Sequence, residues 1–144
     1  MSERDFPSWV NKYIGIPFEE GGETPEEGFN CWTLARWIQQ EEFGVVLPTY
    51  REHYKNSHDY QGVGKIIHAS IHHWTEVEQE WEPTTHIDVG CILFFRRQGD
   101  LLHCATSVSN HWMIHVLEHD YTALTKFTAH KYWGPGFIQA YRHR

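Results

Sequence analysis

An α+β fold, with helices gathered in the first half and packed on a mostly antiparallel sheet from the second, follows from three features. Up to Trp74 the apolar residues recur at helical spacing, and after it they recur with period two. Helices first and strands later is the order of an α+β domain rather than of an alternating α/β one. The 144 residues, 40% hydrophobic and 22% charged, suit one domain over 1–144 with a core of its own.

Residues 6–14 read as a short helix. Phe6, Val10, Tyr13 and Ile14 share a face, Pro7 suits a first helical position and Gly15 stops the run. Residues 16–29 read as a loop, punctuated by Pro17, Gly21, Gly22, Pro25 and Gly28, with its glutamates solvating it. The clearest helix is 31–43. Asn30 is a natural N-cap, Cys31, Leu34, Ala35 and Ile38 form its apolar stripe, Gly44 closes it and Pro48 bars its continuation. Residues 49–60 are polar, aromatic and weakly helical, and 65–74 read as another helix through Ile66, Ile67, Ala69, Ser70 and Ile71.

The strands follow. Residues 75–78 form a short one, and Gly90-Cys91-Ile92-Leu93-Phe94-Phe95 reads as a strand buried on both sides. Gln98-Gly99-Asp100 is a turn, 102–109 the next strand, Ser109-Asn110 a hairpin turn, and 112–117 the strand that pairs back. Strands at 121–127 and 137–142 come last, separated by Gly134-Pro135-Gly136. No repeat, low-complexity segment or linker interrupts the chain.

Charge and composition exclude several functions. A net charge of −7, from 12 basic and 19 acidic residues, argues against nucleic acid as a partner. The dense basic patches, Arg96-Arg97 and Arg142-His143-Arg144, are too short to change that. No run of about 18 apolar residues exists to span a membrane. The charged start leads into no long apolar run, so no secretory signal is expected. A cytoplasmic place of synthesis follows, with delivery elsewhere needing another route. Three cysteines, Cys31, Cys91 and Cys104, are an odd number without a close-spaced pair, which argues against a disulfide framework. No cofactor is expected, since G-x-G-x-x-G and G-x4-G-K patterns are absent, and the absence of Gly-x-Ser-x-Gly disfavours a serine hydrolase.

The chemistry centres on Gly28-Phe29-Asn30-Cys31-Trp32-Thr33-Leu34-Ala35. A thiol attacks as thiolate, and a free one has a pKa of about 8.5; a helix N-terminus or an adjacent imidazolium lowers it. Cys31 has the helix start. An imidazole must come from a distant segment, and His103 and His115 lie on two strands that a turn at Ser109-Asn110 brings face to face, within a residue of direct register. One can orient the other. Cys91 and Cys104 read as core residues, and strand alternation turns Cys104 to the face opposite His103. A zinc site is disfavoured: His111 and His115 are four apart, but on a strand that spacing holds them too far apart. The tryptophans read as core or groove wall.

These residues carry a resemblance. Gly15-Ile16-Pro17-Phe18 with Gly21-Gly22, the run from Gly28 to Leu34, and Glu41-Glu42-Phe43-Gly44-Val45-Val46-Leu47-Pro48 resemble the NlpC-type cell-wall peptidases, a papain-like superfamily, and more narrowly its phage tail-assembly members. Residues 90–95, 103–107, Met113-Ile114-His115 and 137–143 are similar to its later strands. The resemblance implies a papain-like fold with Cys31 as nucleophile, His103 as general base and His115 as the orienting residue. It implies amide hydrolysis through a thioester, with the Cys31 N–H helping to bind the oxyanion. The implied substrate is a peptidoglycan stem peptide, cut between D-glutamate and a diamino acid. Phe18, Asn30 and Trp32 would bind substrate or support the site. Phage tail proteins are the implied partners, and the virion tail the implied location, of the narrower likeness.

The chain departs from the family pattern at named positions. Asn30 replaces an aspartate, Phe18 a tyrosine, and Glu20 a frequent aromatic. Cys104-Ala105 stand for Val-Gly, and Cys91 for the aspartate of Gly-Asp. A hydrogen bond lost from a developing charge costs about 2.7–4 kcal/mol. Two other readings therefore stay open: a catalytically weak or inactive structural protein on the same fold, and a thiol-dependent acyl transferase.

Overall fold

In the computed structural model, which describes residues 5–49, 70–71, 73–96 and 102–144, a reciprocal capping box starts the central helix. The Thr33 N–H donates to Asn30 Oδ1 at 2.9 Å, and the Asn30 N–H donates to Thr33 Oγ1 at 2.9 Å. The helix, α1, runs Cys31–Phe43 as expected. Gly44 ends it in the left-handed conformation, φ 70°, with its N–H turned back to Gln39 and Gln40 carbonyls. Cys31, Trp32, Thr33, Leu34 and Ala35 are all buried. The first turns of α1 are thus enclosed.

Before α1, two short strands pair, β1 (Glu23–Thr24) and β2 (Gly28–Phe29), inside what the sequence presents as a loop. Glu27 is part of the hairpin rather than mere solvation: its Oε1 accepts from Thr24 Oγ1 at 3.2 Å. Gly28 has φ +100°, and a Cβ there would lie 2.6 Å from the Pro17 carbonyl oxygen. The segment expected as a helix over 6–14 is a 3₁₀-helix over Ser8–Tyr13, begun by a Val10 N–H to Pro7 carbonyl bond of 3.1 Å. Pro7 flanks the turn in extended conformation with no side-chain cap, and six residues are too few for the α form to gain.

The sheet has six antiparallel strands: β3 (Trp81–Thr84), β4 (Ile92–Arg96), β5 (Leu102–Ser107), β6 (Trp112–His115), β7 (Ala123–Lys126) and β8 (Phe137–His143). Their order is β3-β8-β4-β5-β6-β7, so the last strand inserts between β3 and β4. α1 lies across one face, chiefly over β5. Ile92, Phe94 and Cys104 meet Cys31, Trp32 and Trp74 there, while Leu34 and Ile38 pack with Ile114 and Val108. On the other face Leu93, Phe95, Ala105 and Met113 are covered by Phe127 and Trp133, the latter opening a one-turn helix, α2 (Trp133–Gly136). Burial on both faces is why the run from Cys91 to Phe95 is apolar without alternation.

Three expectations change. The strand read over 75–78 is part of a π-helical turn, His73–Val77, held by Thr75 Oγ1 donating to the Ile71 carbonyl at 2.9 Å. The strand in that region is β3, masked in the sequence by Pro83, which an edge strand tolerates. The link between β5 and β6 is wider than Ser109-Asn110. Thr106 faces Ile114 and Ser107 faces Met113, so His103 and His115 are diagonal rather than opposite. Gly134-Pro135-Gly136 lies in α2 rather than in a plain turn. The helical reading of 49–60, most of that of 65–74, and the turn at 98–100 fall outside the described residues; Ser70 and Ile71 are helical.

Candidate active site

Asn30 fixes where α1 begins, and so sets Cys31 on the first turn, where main-chain N–H groups lack helical acceptors. The Asn30 amide also donates from Nδ2 to the Glu20 carbonyl at 2.7 Å, clamping the preceding loop to the helix start. An aspartate could cap but could not donate that bond. Cys31 is 5% exposed.

β5 and β6 bring the two predicted histidines together. His103 Nε2 and His115 Nδ1 are 2.8 Å apart, and His115 Nε2 lies 2.8 Å from Thr125 Oγ1 on β7. With the proton on Nε2 of each ring, His103 donates to His115 and His115 donates to Thr125. His103 Nδ1 then holds a bare lone pair, and that atom is buried with no hydrogen-bond partner among the described residues. Trp133 stacks on His103, with ring centroids 4.9 Å apart and planes 28° apart, and meets His115 edge-on at 5.4 Å. It closes the imidazole pair to solvent; His103 is 1% exposed. Neither Thr125 nor Trp133 stands out in the sequence. Thr125 is found only through the β6–β7 register, and Trp133 is one tryptophan among seven.

Cys104 is buried on the face opposite His103, as expected, and on that face its thiol hydrogen-bonds Cys31. Strand alternation explains it: Cys104 pairs with Phe94 on the α1 face, while His103 pairs with Phe95 on the Trp133 face. The bond to Cys31, reinforced by burial, pushes the Cys104 thiol well above its ordinary pKa. Cys104 therefore holds its proton. The structure thus joins His103 to His115 and Cys31 to Cys104. It forms no hydrogen bond between His103 Nδ1 and Cys31, although β5 carries His103 one residue from the cysteine that touches the Cys31 thiol.

Trp32 has no exposed surface. Its Nε1 donates to the Pro48 carbonyl at 2.9 Å and its ring stacks on Trp74, so it supports Cys31 from the core and cannot touch a substrate. Phe18 is half-buried, with its N–H bonded to the Asp120 carbonyl at 2.9 Å. His111 turns to Thr128 Oγ1 at 2.8 Å, away from His115, and no group of three or more potential metal ligands converges among the described residues. Cys91 lies in the cluster on the Trp133 face. No helix among the described residues is long and apolar enough to cross a membrane.

The model of the NlpC/P60 family matches residues 15–142. Gamma-DL-glutamyl hydrolase of Bacillus subtilis (strain 168) is 46% identical over 43 residues, which is 30% of this chain and 10% of that protein. The chain thus spans about a tenth of that relative. Three solved structures share the fold. An NlpC/P60 family protein of Bacillus cereus ATCC 10987 superposes with a TM-score of 0.60 at 17% identity, over 99% of this chain and 43% of that one. A lipoprotein-like protein of the same family from Staphylococcus aureus Mu50 gives 0.57 at 19%, over 92% and 38%. The NlpC/p60 domain of the peptidoglycan hydrolase SagA gives 0.55 at 20%, over 91% and 90%.

Proposed function

The chain belongs to the NlpC/P60 family, and from that premise we propose that it is a thiol hydrolase cleaving an amide bond in peptidoglycan stem peptides, with residues 1–144 as one catalytic domain. The observation that carries this reading is the imidazole chain: His103, oriented by His115 and Thr125, offers an unpartnered Nδ1 on the strand that touches Cys31. In the reaction His103 Nδ1 takes the Cys31 proton, and the thiolate attacks the carbonyl carbon. The Cys31 N–H at the start of α1 donates to the oxyanion. The imidazolium then protonates the leaving amine, a thioester remains, and water activated by the same nitrogen releases the acid. His103 and Cys31 pack on different faces of β5 in this structure, so the proposed transfer requires Nδ1 to reach Sγ in the substrate complex. A bond after D-glutamate is supported by the stretch shared with the gamma-DL-glutamyl hydrolase.

The test is stem-peptide cleavage by Cys31→Ala and His103→Ala, with folding checked by circular dichroism. Both variants are expected to lose turnover by at least about a thousandfold, a barrier increase of about 4 kcal/mol. Turnover by Cys31→Ala at the wild-type rate overturns the reading.

A second reading, a structural or phage tail-assembly protein on the same fold, draws on the Cys31–Cys104 bond and on Phe18 in place of a tyrosine. It predicts slow alkylation of Cys31 at neutral pH. Fast alkylation that titrates below the range of an ordinary thiol rejects it.

A further inference from the structure

We propose that Cys31 and Cys104 are the two halves of a reversible disulfide, with Cys31 the attacking and Cys104 the resolving sulfur. Both belong to one buried cluster on the α1 face, and their thiols are hydrogen-bonded. Cys91, the remaining cysteine, packs in the cluster on the other side of the sheet, so the pairing is unambiguous. The two sulfurs sit on different elements, α1 and β5, 73 positions apart in sequence. Such a bond crosslinks the helix to the sheet and caps the sulfur at the helix start.

The chemistry needs an oxidant, and hydrogen peroxide is the class small enough to reach thiols that are 5% (Cys31) and 2% (Cys104) exposed. The Cys31 thiolate attacks a peroxide oxygen. An S–O bond forms, the O–O bond breaks, and the departing hydroxide is protonated to water, leaving a sulfenic acid. The Cys104 sulfur then attacks the Cys31 sulfur and gives up its proton. The S–S bond forms as the S–O bond breaks, and a second water leaves. Two thiols lose two electrons and two protons, and one peroxide becomes two waters. The division of labour follows from their places in the fold: Cys31 opens α1, where main-chain N–H groups without helical acceptors favour a thiolate, and Cys104 lies within β5, away from any helix start. A dithiol reductant reverses the bond. Without Cys104 the sulfenic acid has no resolving thiol and proceeds to sulfinic acid, which such a reductant does not restore.

The experiment treats the reduced, folded full chain with hydrogen peroxide, unfolds it in iodoacetamide and maps the peptides by mass. The expected product is a Cys31–Cys104 linked peptide lacking two hydrogens, with Cys91 alkylated, fully reverted by dithiothreitol. Cys104→Val, an apolar replacement of similar size, is expected to give sulfinic acid at Cys31 and no link. A wild-type chain that accumulates sulfinic acid at Cys31 as fast as Cys104→Val, or that links Cys91 instead, overturns the proposal. The mass readout does not depend on catalysis, so it separates this proposal from the hydrolase reading. Stem-peptide turnover, measured on the same samples, is expected to fall with the linked fraction and to return on reduction.

Discussion

Asn30 combines two hydrogen-bonding roles that the family's usual aspartate cannot. Its oxygen caps α1 and its amide nitrogen holds the Glu20 carbonyl. Asn30→Asp keeps the cap but removes the donor and buries a charge in a site 1% exposed. Leaving a buried carbonyl without its donor costs about 1–3 kcal/mol. Thermal unfolding of Asn30→Asp is therefore expected to show a loss of that size, and a Tm equal to wild type would dismiss the clamp. Thr125 acts one step further from the chemistry, as a positioning residue. Thr125→Val removes the acceptor of His115 Nε2–H, a bond worth about 0.5–1.5 kcal/mol. Under the hydrolase reading that corresponds to a kcat lower by about two- to tenfold, with KM unchanged. Thr125→Ser should recover the rate because it restores the hydroxyl. Equal impairment of both variants would show that the hydroxyl is not what matters.

At the scale of elements, the 3₁₀-helix is tied to the far end of α1 by one carboxylate. Glu42 accepts from Tyr13 Oη at 2.5 Å and from Lys12 Nζ at 2.7 Å. Burial raises the Tyr13 hydroxyl, and its bond to Glu42 raises it further. For Glu42 burial pulls the opposite way to its partners, and the bonds from Lys12 and Tyr13 prevail, leaving it below the usual 4.5. The signs give two limbs. Glu42, lowered on folding, contributes stability that is present above pH 4.5 and is lost as pH falls through its folded value. Tyr13, raised on folding, contributes stability that is present below pH 10.0 and is lost as pH rises above it. Urea midpoints measured across pH should fall on both sides. Glu42→Gln should flatten the acid limb and Tyr13→Phe the alkaline one; an unchanged acid limb in Glu42→Gln would place its origin elsewhere. α1 itself was legible because its cap, stripe and closing glycine coincide in sequence. The 3₁₀-helix and the π-helical turn were not, because apolar spacing over five or six residues does not distinguish helical types.

At the scale of the molecule, the α+β order of elements was readable from one change of period, but the strand order was not. Nothing local in residues 137–143 tells that they insert between β3 and β4. The candidate site divides along the same line. The place of Cys31 depends on its immediate neighbours and was legible. The meeting of His103 with His115 was foreseen on a register one residue off; the observed pairing sets them two places from direct opposition, which keeps both side chains on one face. The orientation of Cys104 follows from strand alternation and was legible, whereas Thr125 and Trp133 depend on which elements are neighbours, and contacts of that range leave no mark in single-sequence spacing.

The position of β8 has a consequence for how the molecule comes into being. A ribosome delivers β4, β5, β6 and β7 as a run of successive neighbours, so that part of the sheet can zip up in the order of synthesis. β3 emerges before all of them and finds no partner until residues 137–143 arrive. Throughout that interval the near edge of β4 is an open template for any other extended chain, and Trp81 lacks its cover of His143. The nascent polypeptide is thus exposed to mispairing until β8 is made, and that strand acts as the keystone that ends the vulnerability.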